Sequence, residues 1–338
     1  MRRVGSLFEK TIDFKNLLLA AKKAFRGKKL KKSSGSFYFH LESELLSLQC
    51  ELTSGCYIPK PYDIFQIREP KARRIAAAAF RDRVVHHAIC NVLEPIFEKR
   101  LILDSYACRV GKGTHRALKR LQKFSRKYTY FLKWDIQKYF ESIDHEVLKQ
   151  LLRRILKDRQ LLSLLDQIID HAVVGNKPGK GLPIGNLTSQ HFANLYLGEL
   201  DHFVKDRLRI KAYLRYMDDS IALLNDKRQL HHHLEEIRLF LNEKLKLNLK
   251  ETVVRIAPVT EGIPFLGFRI YPDMIRLQRS HLIRWRRKLR KKYEHFKKGL
   301  IPEEKLISSI QSTIAHITHS NSLTLRRKEL ERFYIWAL

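Results

Sequence analysis

No stretch of this 338-residue chain approaches the roughly 18 consecutive apolar residues of a membrane-spanning helix. A membrane-embedded protein is therefore not expected. A secretory leader is not expected either: Arg2 and Arg3 stand near the start, but Glu9, Asp13 and Lys15 interrupt any apolar core, and Leu17-Leu18-Leu19 is too short to supply one. The expected location is cytoplasmic. Cysteine is scarce, with four residues at 50, 56, 90 and 108 and no Cys-x-x-Cys pair, which argues against a disulfide scaffold or a zinc ribbon and predicts buried free thiols. Negative charge is the largest shortage. Against 66 Lys and Arg stand 35 Asp and Glu, a formal balance of +31, so a polyanionic partner is expected, nucleic acid first and an acidic membrane surface second.

What is present is enough to fold. Apolar residues make up 44% and charged ones 30%, and the length suits two or three modules. The first 35 residues carry eleven Lys or Arg and only Glu9 and Asp13 as acids, which reads as a basic helix and flexible joint, more electrostatic arm than core. Extended segments are expected between Tyr57 and Pro70, a helix over 81–97, a strand over 128–134, and paired helices over 146–169. After a glycine-rich loop from Gly175 to Gly185, Thr188 is placed to cap the next helix. Two short strands flank Met217-Asp218-Asp219, a helix covers 227–245, and strands are expected at 252–257 and 265–271. His231-His232-His233 falls inside that helix, where consecutive residues point in different directions, so a metal site is not expected there. In the helical C-terminal part Leu282, Trp285, Leu289, Tyr293 and Phe296 share one face, while Arg284, Arg286, Arg287, Lys288, Arg290, Lys291 and Lys292 cover the others. That basic face is either a phosphate-tracking surface or a solvated one.

The chemistry is expected at the carboxylates. Asp218 and Asp219 sit in a tight turn between two strands, and adjacent carboxylates are best tolerated where a divalent cation neutralises them. Asp135 closes the strand Tyr130-Phe131-Leu132-Lys133-Trp134; if that strand pairs beside the hairpin, Asp135 and Asp218 converge. An isolated Asp-Asp turn would be only a solvated hairpin tip. Here it is accompanied by Asp135-Ile136-Gln137-Lys138-Tyr139-Phe140 and by Gly181-Leu182-Pro183-Ile184-Gly185-Asn186, in the order a polymerase palm requires.

With those motifs the chain resembles a reverse transcriptase over about residues 37 to 275. Within that family it is most similar to the enzymes of diversity-generating retroelements, relatives of group II intron reverse transcriptases. Two stretches carry the finer likeness: Ile184-Gly185-Asn186-Leu187-Thr188-Ser189-Gln190 followed by Phe192-Ala193-Asn194, and Asp104-Ser105-Tyr106-Ala107-Cys108-Arg109 followed by Gly111-Lys112-Gly113-Thr114-His115. Most reverse transcriptases have Gln at the position of Ile184 and Pro at that of Gln190.

The resemblance implies an α+β right hand: a basic N-terminal extension (1–35), fingers (36–129), a palm with an antiparallel sheet (130–274, its helical segment 146–180 belonging to the fingers) and a helical thumb (275–338). It implies two Mg²⁺ ions at Asp135, Ile136, Asp218 and Asp219, with Asp135, Asp218 and Asp219 catalytic. A dNTP would meet Lys71, Arg73, Ile136, Phe140, Ile184, Gly185 and Lys250, with Arg74 able to exchange roles with Arg73. Phe140 would exclude a 2′-hydroxyl, unless it is simply a core ring. Lys250 resembles a proposed general acid, though a surface lysine fits as well. Template and primer would meet Arg109, Tyr216, Phe265, Leu266, Gly267, Arg286, Arg287 and Arg290. Implied partners are a template-repeat RNA, a DNA or RNA primer and a small basic oligomeric accessory protein, with adenine-directed infidelity in the cDNA. The alternatives are a retron-type or group II intron-derived reverse transcriptase, and a non-catalytic RNA-binding scaffold, which the three retained acids disfavour.

Overall fold

A computed structural model describes residues 3–27, 32–68, 72–171 and 178–331. Its first helices, α1 (Phe8–Ile12) and α2 (Phe14–Phe25), correct the expectation of a free arm. Asp13 caps α2 by accepting the Asn16 N–H, and Leu17, Ala20, Ala21 and Ala24 follow helical spacing onto one buried face. The cations are left to the outer face. Small side chains on the inner one let α2 lie close against the later helix over 80–98. The start of the chain is tied down as well, since Val4 exchanges backbone hydrogen bonds of 2.8 Å with Ile155 and Lys157. Residues 28–31 lie outside the described residues, and the stretch expected as a joint continues into α3 (Lys32–Phe39) and α4 (Leu41–Ser54).

β1 (Asp63–Ile67) and β2 (Arg73–Ala77) form a two-stranded antiparallel ribbon, registered from Asp63↔Ala77 to Ile67↔Arg73. α5 (Phe80–Glu98) and α6 (Thr114–Ser125) follow, and α6 turns Ala117, Leu118, Leu121 and Phe124 inward. β3 (Tyr130–Trp134) precedes α7 (Tyr139–Ser142), α8 (His145–Ile155), α9 (Arg159–Asp170) and α10 (Leu187–His202). Asn186, not Thr188, stands at the start of α10; Thr188 is buried in its first turn. β4 (Ala212–Tyr216), β5 (Asp219–Leu224), α11 (Lys227–Leu245) and β6 (Arg255–Pro258) complete an antiparallel four-stranded sheet in the order β4-β5-β3-β6.

Strand alternation sorts this sheet's side chains onto two faces. Leu132, Trp134, Tyr213 and Ala222 join the main core with α10 and α11. Phe131, Leu214, Ile221 and Leu223 face a second core built with α6 and the strands that follow. By the same alternation Lys133, Asp135, Tyr216 and Asp219 belong to the second face, and Arg215 to the first.

Those following strands are β7 (Ile263–Phe265), β8 (Phe268–Ile270) and β9 (Ile275–Leu277). The expected single strand over 265–271 is instead a hairpin, because Leu266 and Gly267 take positive φ of 49° and 87° and reverse the chain. α12 (Arg279–Lys297), α13 (Glu303–Ile317) and α14 (Leu323–Glu331) close on a third core around Trp285, Leu289 and Leu306. The expectation of buried thiols holds for Cys90 alone; Cys50, Cys56 and Cys108 are exposed. Among the described residues no helix is long and apolar enough to cross a membrane.

Candidate active site

The pairing Trp134↔Ser220 brings the end of β3 to the start of β5, while Tyr216↔Asp219 leaves Met217 and Asp218 as a two-residue turn. Met217 accepts a φ of 58° to make it. Asp135 and Asp218 thereby come into side-chain contact. Burial first, and the Asp135 charge second, push the Asp218 carboxyl up to about 7. Burial pushes Asp219 up to about 6, against the opposing pull of the Lys133 ammonium 3.1 Å away. Asp219 Oδ1 is buried and has the Lys133 ammonium 3.1 Å away as its ion-pair partner.

Such a group of hard oxygen donors, too crowded to be charged without compensation, fits a divalent cation. No cluster of three or more His, Cys, Asp or Glu stands at metal-holding distance among the described residues. Asp219 is engaged by Lys133, leaving Asp135 and Asp218 as the pair. One or two carboxylates, with the rest supplied by phosphate oxygens and water, is the usual protein share for Mg²⁺ at a nucleotide site.

The turn is held from behind by residues the sequence reading missed. Arg215, fully buried, donates to Asp201 at 2.7 and 2.6 Å, to Asn194 Oδ1 at 3.1 Å and to the Met217 carbonyl at 2.9 Å. Tyr213 donates its hydroxyl to the same Asp201 at 2.7 Å. Breaking a buried pair of this kind costs about 3–5 kcal/mol, because the surviving charge stays buried. The available signal was a cation on the inward phase of an otherwise apolar strand. Asn194 also donates to the Ala107 carbonyl at 2.8 Å, so the two motif stretches meet behind the turn. Arg109, expected to meet template or triphosphate, is committed inside the protein: it grips Glu98 and donates to the Ile102 and Ser105 carbonyls at 2.6 and 2.8 Å.

On the expected nucleotide side, Ile136 is buried, and its N–H donates to Asp135 Oδ1 at 3.0 Å. Half-buried Lys250 donates its backbone N–H to the Asp135 carbonyl at 2.9 Å, which seats it beside that acid. Phe140 is half-buried against the main core, and its carbonyl accepts from Leu182 at 2.7 Å, joining it to the glycine-rich loop. Ile184 in turn accepts the Ala76 N–H at 3.1 Å, bringing the β1–β2 ribbon onto Gly185, whose φ is 128°. Arg73 and Arg74 are exposed on that ribbon; Lys71 lies outside the described residues. Arg81, Asp82 and Arg83, at the start of α5, make contacts within the protein. Arg81 pairs with Glu51, Asp82 accepts from Tyr57 and from the Lys60 N–H at 2.9 Å each, and Arg83 donates to the Ala78 carbonyl at 2.7 Å.

Phe265 is buried, and Leu266 and Gly267 form the β7–β8 turn. Lys133 ties this hairpin to the acids, donating to the Pro264 carbonyl at 2.8 Å while it pairs with Asp219. Tyr216, half-buried, accepts from Thr114 at 3.3 Å. In α12, Arg287 and Arg290 are exposed, but Arg286 is spent on Glu329, 2.6 Å away and buried.

Residues 58–270 match the family described as reverse transcriptase (RNA-dependent DNA polymerase). Among curated proteins, Protein YkfC of Escherichia coli K12 is 29% identical, covering 68% of this chain and 72% of that protein. The group II intron-encoded protein LtrA of Lactococcus lactis is 23% identical over 86% of this chain and 58% of its own length, so the chain spans under two thirds of that relative. Among solved structures, telomerase from Candida albicans in complex with a telomeric RNA fragment is similar at a TM-score of 0.49 and 10% identity, over 82% of this chain and 55% of that one.

Proposed function

Because the chain belongs to the reverse transcriptase family, whose right-hand polymerase fold it shares, we propose that it is an RNA-directed DNA polymerase with Asp135, Asp218 and Asp219 as its catalytic acids. The observation that carries this is the contact between Asp135 and Asp218 at the mouth of the β4–β5 turn. When bound there, two Mg²⁺ ions would lower the pKa of a primer hydroxyl and offset charge on the departing pyrophosphate. The chain's own part is to place them. Asp135 and Asp218 supply oxygens, Lys133 restrains Asp219, and Arg215 fixes the turn from behind. Arg73, and Lys71 before it, meet the triphosphate as the ribbon lies over the Ile184–Gly185 loop; Phe140 screens the sugar, and Lys250 is positioned to return a proton to pyrophosphate. Tyr216 and the Phe265-Leu266-Gly267 turn seat the primer end, with Arg287 and Arg290 on the duplex beyond. Fingers (36–129), palm (130–274) and thumb (275–338) are the corresponding division; of the N-terminal extension (1–35), the described residues 3–27 pack into the main core.

At finer grain we read the chain as the polymerase of a diversity-generating retroelement, working in the cytoplasm on a template-repeat RNA with a primer, dNTPs and a small basic accessory protein. Ile184 and Gln190 support this. Ile184 has no side-chain donor or acceptor to offer a nascent base pair, where an amide would have both. The likeness to LtrA across most of the chain supports a second reading, a group II intron-derived reverse transcriptase. Sequencing cDNA made on one RNA template separates them. The first reading expects errors concentrated opposite adenine and reduced severalfold by Ile184→Gln; a loss of one polar contact is worth about threefold to tenfold. Uniformly sparse errors in both active forms would leave the second.

A further inference from the structure

Between Asp104 and Asp135 the chain carries nine Lys or Arg and no acid at all. Four of them, Arg116, Lys119, Arg120 and Lys123, lie on α6, and Arg126 and Lys127 follow directly after it. That helix starts beside the catalytic turn, where Thr114 donates to Tyr216, and runs twelve residues, roughly 18 Å at about 1.5 Å per residue, to the far end of the sheet. Arg116, Lys119 and Lys123 are exposed along it, and Lys127 just beyond its end. At its end opens a cleft of about 430 Å³ whose cations are Arg120, Lys123, Arg126, Lys127 and Lys211. Phe124 and Tyr128 supply its apolar wall.

Two of those cations are fixed. Arg120 holds Asp104 at 2.8 Å with its guanidinium 4.4 Å from the Phe124 ring centroid, and Arg126 donates to the Pro272 carbonyl at 2.6 Å. Asp104 is itself buried and shared with Lys205, so it offers nothing to Lys123, Lys127 or Lys211. Favourable interaction with the α6 C-terminal dipole accounts for Lys123 but not for the other two, which lie beyond the helix. Lys211 precedes β4 and Asp218 follows it, seven residues along, so the cleft stands roughly 20 Å from the acids at about 3.3 Å per strand residue. It is outside the reach of a nucleotide held at Asp135.

We propose that this cleft and the exposed row on α6 form a second nucleic-acid surface, which takes a single-stranded RNA segment with its phosphates on Lys123, Lys127 and Lys211 and a base against Tyr128. Cations that track a backbone, interleaved with an aromatic face, are the combination that single strands require. The inference rests on the proposed function only for the choice of RNA over other polyanions; it uses none of the catalytic acids.

The test fills the catalytic cleft first with an annealed primer–template hairpin, then titrates in a labelled, unstructured 20-nucleotide RNA at several salt concentrations. The triple variant Lys123→Glu, Lys127→Glu, Lys211→Glu is expected to bind that RNA at least tenfold more weakly. Its log–log salt slope should be flatter by about two, from three lost contacts at about 0.7 each. Tyr128→Ala should weaken binding about tenfold with the slope unchanged. Extension of the pre-bound hairpin should match wild type in both, and because binding is read without catalysis, an inactive wild type would count against the polymerase reading alone. An unchanged affinity and slope in the triple variant overturns the proposal, as does a loss confined to an acidic protein partner. Gln at the same three positions gives the same reading if the charge-reversed protein does not fold.

Discussion

At the scale of single residues, the centre of the molecule is a repulsion held in place. Asp218 is pushed up to about 7 by burial and by Asp135. Its folded-state affinity for a proton thus exceeds that of an unfolded Asp, near 3.9. Below both values the two states bind the same protons; between them the folded state binds more, so metal-free stability should fall as pH rises from about 4 to about 7. Asp218→Asn removes the charge that causes this. In metal-free buffer at pH 8 the variant should melt a few degrees higher than wild type, with a shallower decline of melting temperature across that window; equal melting curves would mean that the two carboxyls do not oppose each other. The convergence of these acids was legible in the sequence, because the Asp-Asp turn comes together with the strand ending at Asp135 and the glycine-rich loop, in palm order. Arg215 and Asp201 were not. They lie 14 residues apart on a strand and a helix, and only the packing of α10 beneath the sheet makes them partners.

At the scale of elements, the helices and strands were largely readable because their periodicities are clean: the helix over 227–245 and the strand ending at Trp134 stand where spacing puts them. The N-terminal helices misled because composition was weighed over spacing. Eleven cations concealed an alanine-lined stripe that buries against α5. The junction of the ribbon with the glycine-rich loop was also invisible, being a contact between segments over 100 residues apart, Ala76 with Ile184. It gives Gly185 a specific burden. A Cβ there would lie 3.1 Å from Ile75 Cγ2 and 3.2 Å from the Ala76 carbonyl oxygen, at a φ that L side chains rarely adopt. Gly185→Ala should therefore cost about 1–3 kcal/mol of stability and displace the ribbon from the nucleotide. The expected kinetic outcome is at least a tenfold drop in kcat/KM for dNTP in a protein that still folds. Wild-type kinetics would show that the ribbon's position over this loop is immaterial to the nucleotide.

At the scale of the whole molecule, the excess of 31 positive charges is spread unevenly. Some cations are consumed inside: Arg215 by Asp201, Arg109 by Glu98, Arg286 by Glu329. Others stand exposed on α6, which packs on the second core, and on α12, which packs on the third. Net charge could announce a polyanionic partner, but it could not say which arginines were free to meet one, because pairing is decided by tertiary neighbours rather than by local sequence. The acids converge where β3 ends and β5 begins. The most direct measurement is single-nucleotide incorporation by the whole chain on an RNA template with an annealed primer, Mg²⁺ and dNTP, comparing wild type with Asp218→Asn at matched folded concentration. Wild type should extend the primer and the variant should be slower by roughly 10²-fold or more, since losing a metal-binding oxygen removes several kcal/mol of transition-state stabilisation. Equal incorporation by two folded proteins would contradict the assignment of this carboxylate pair as the catalytic centre.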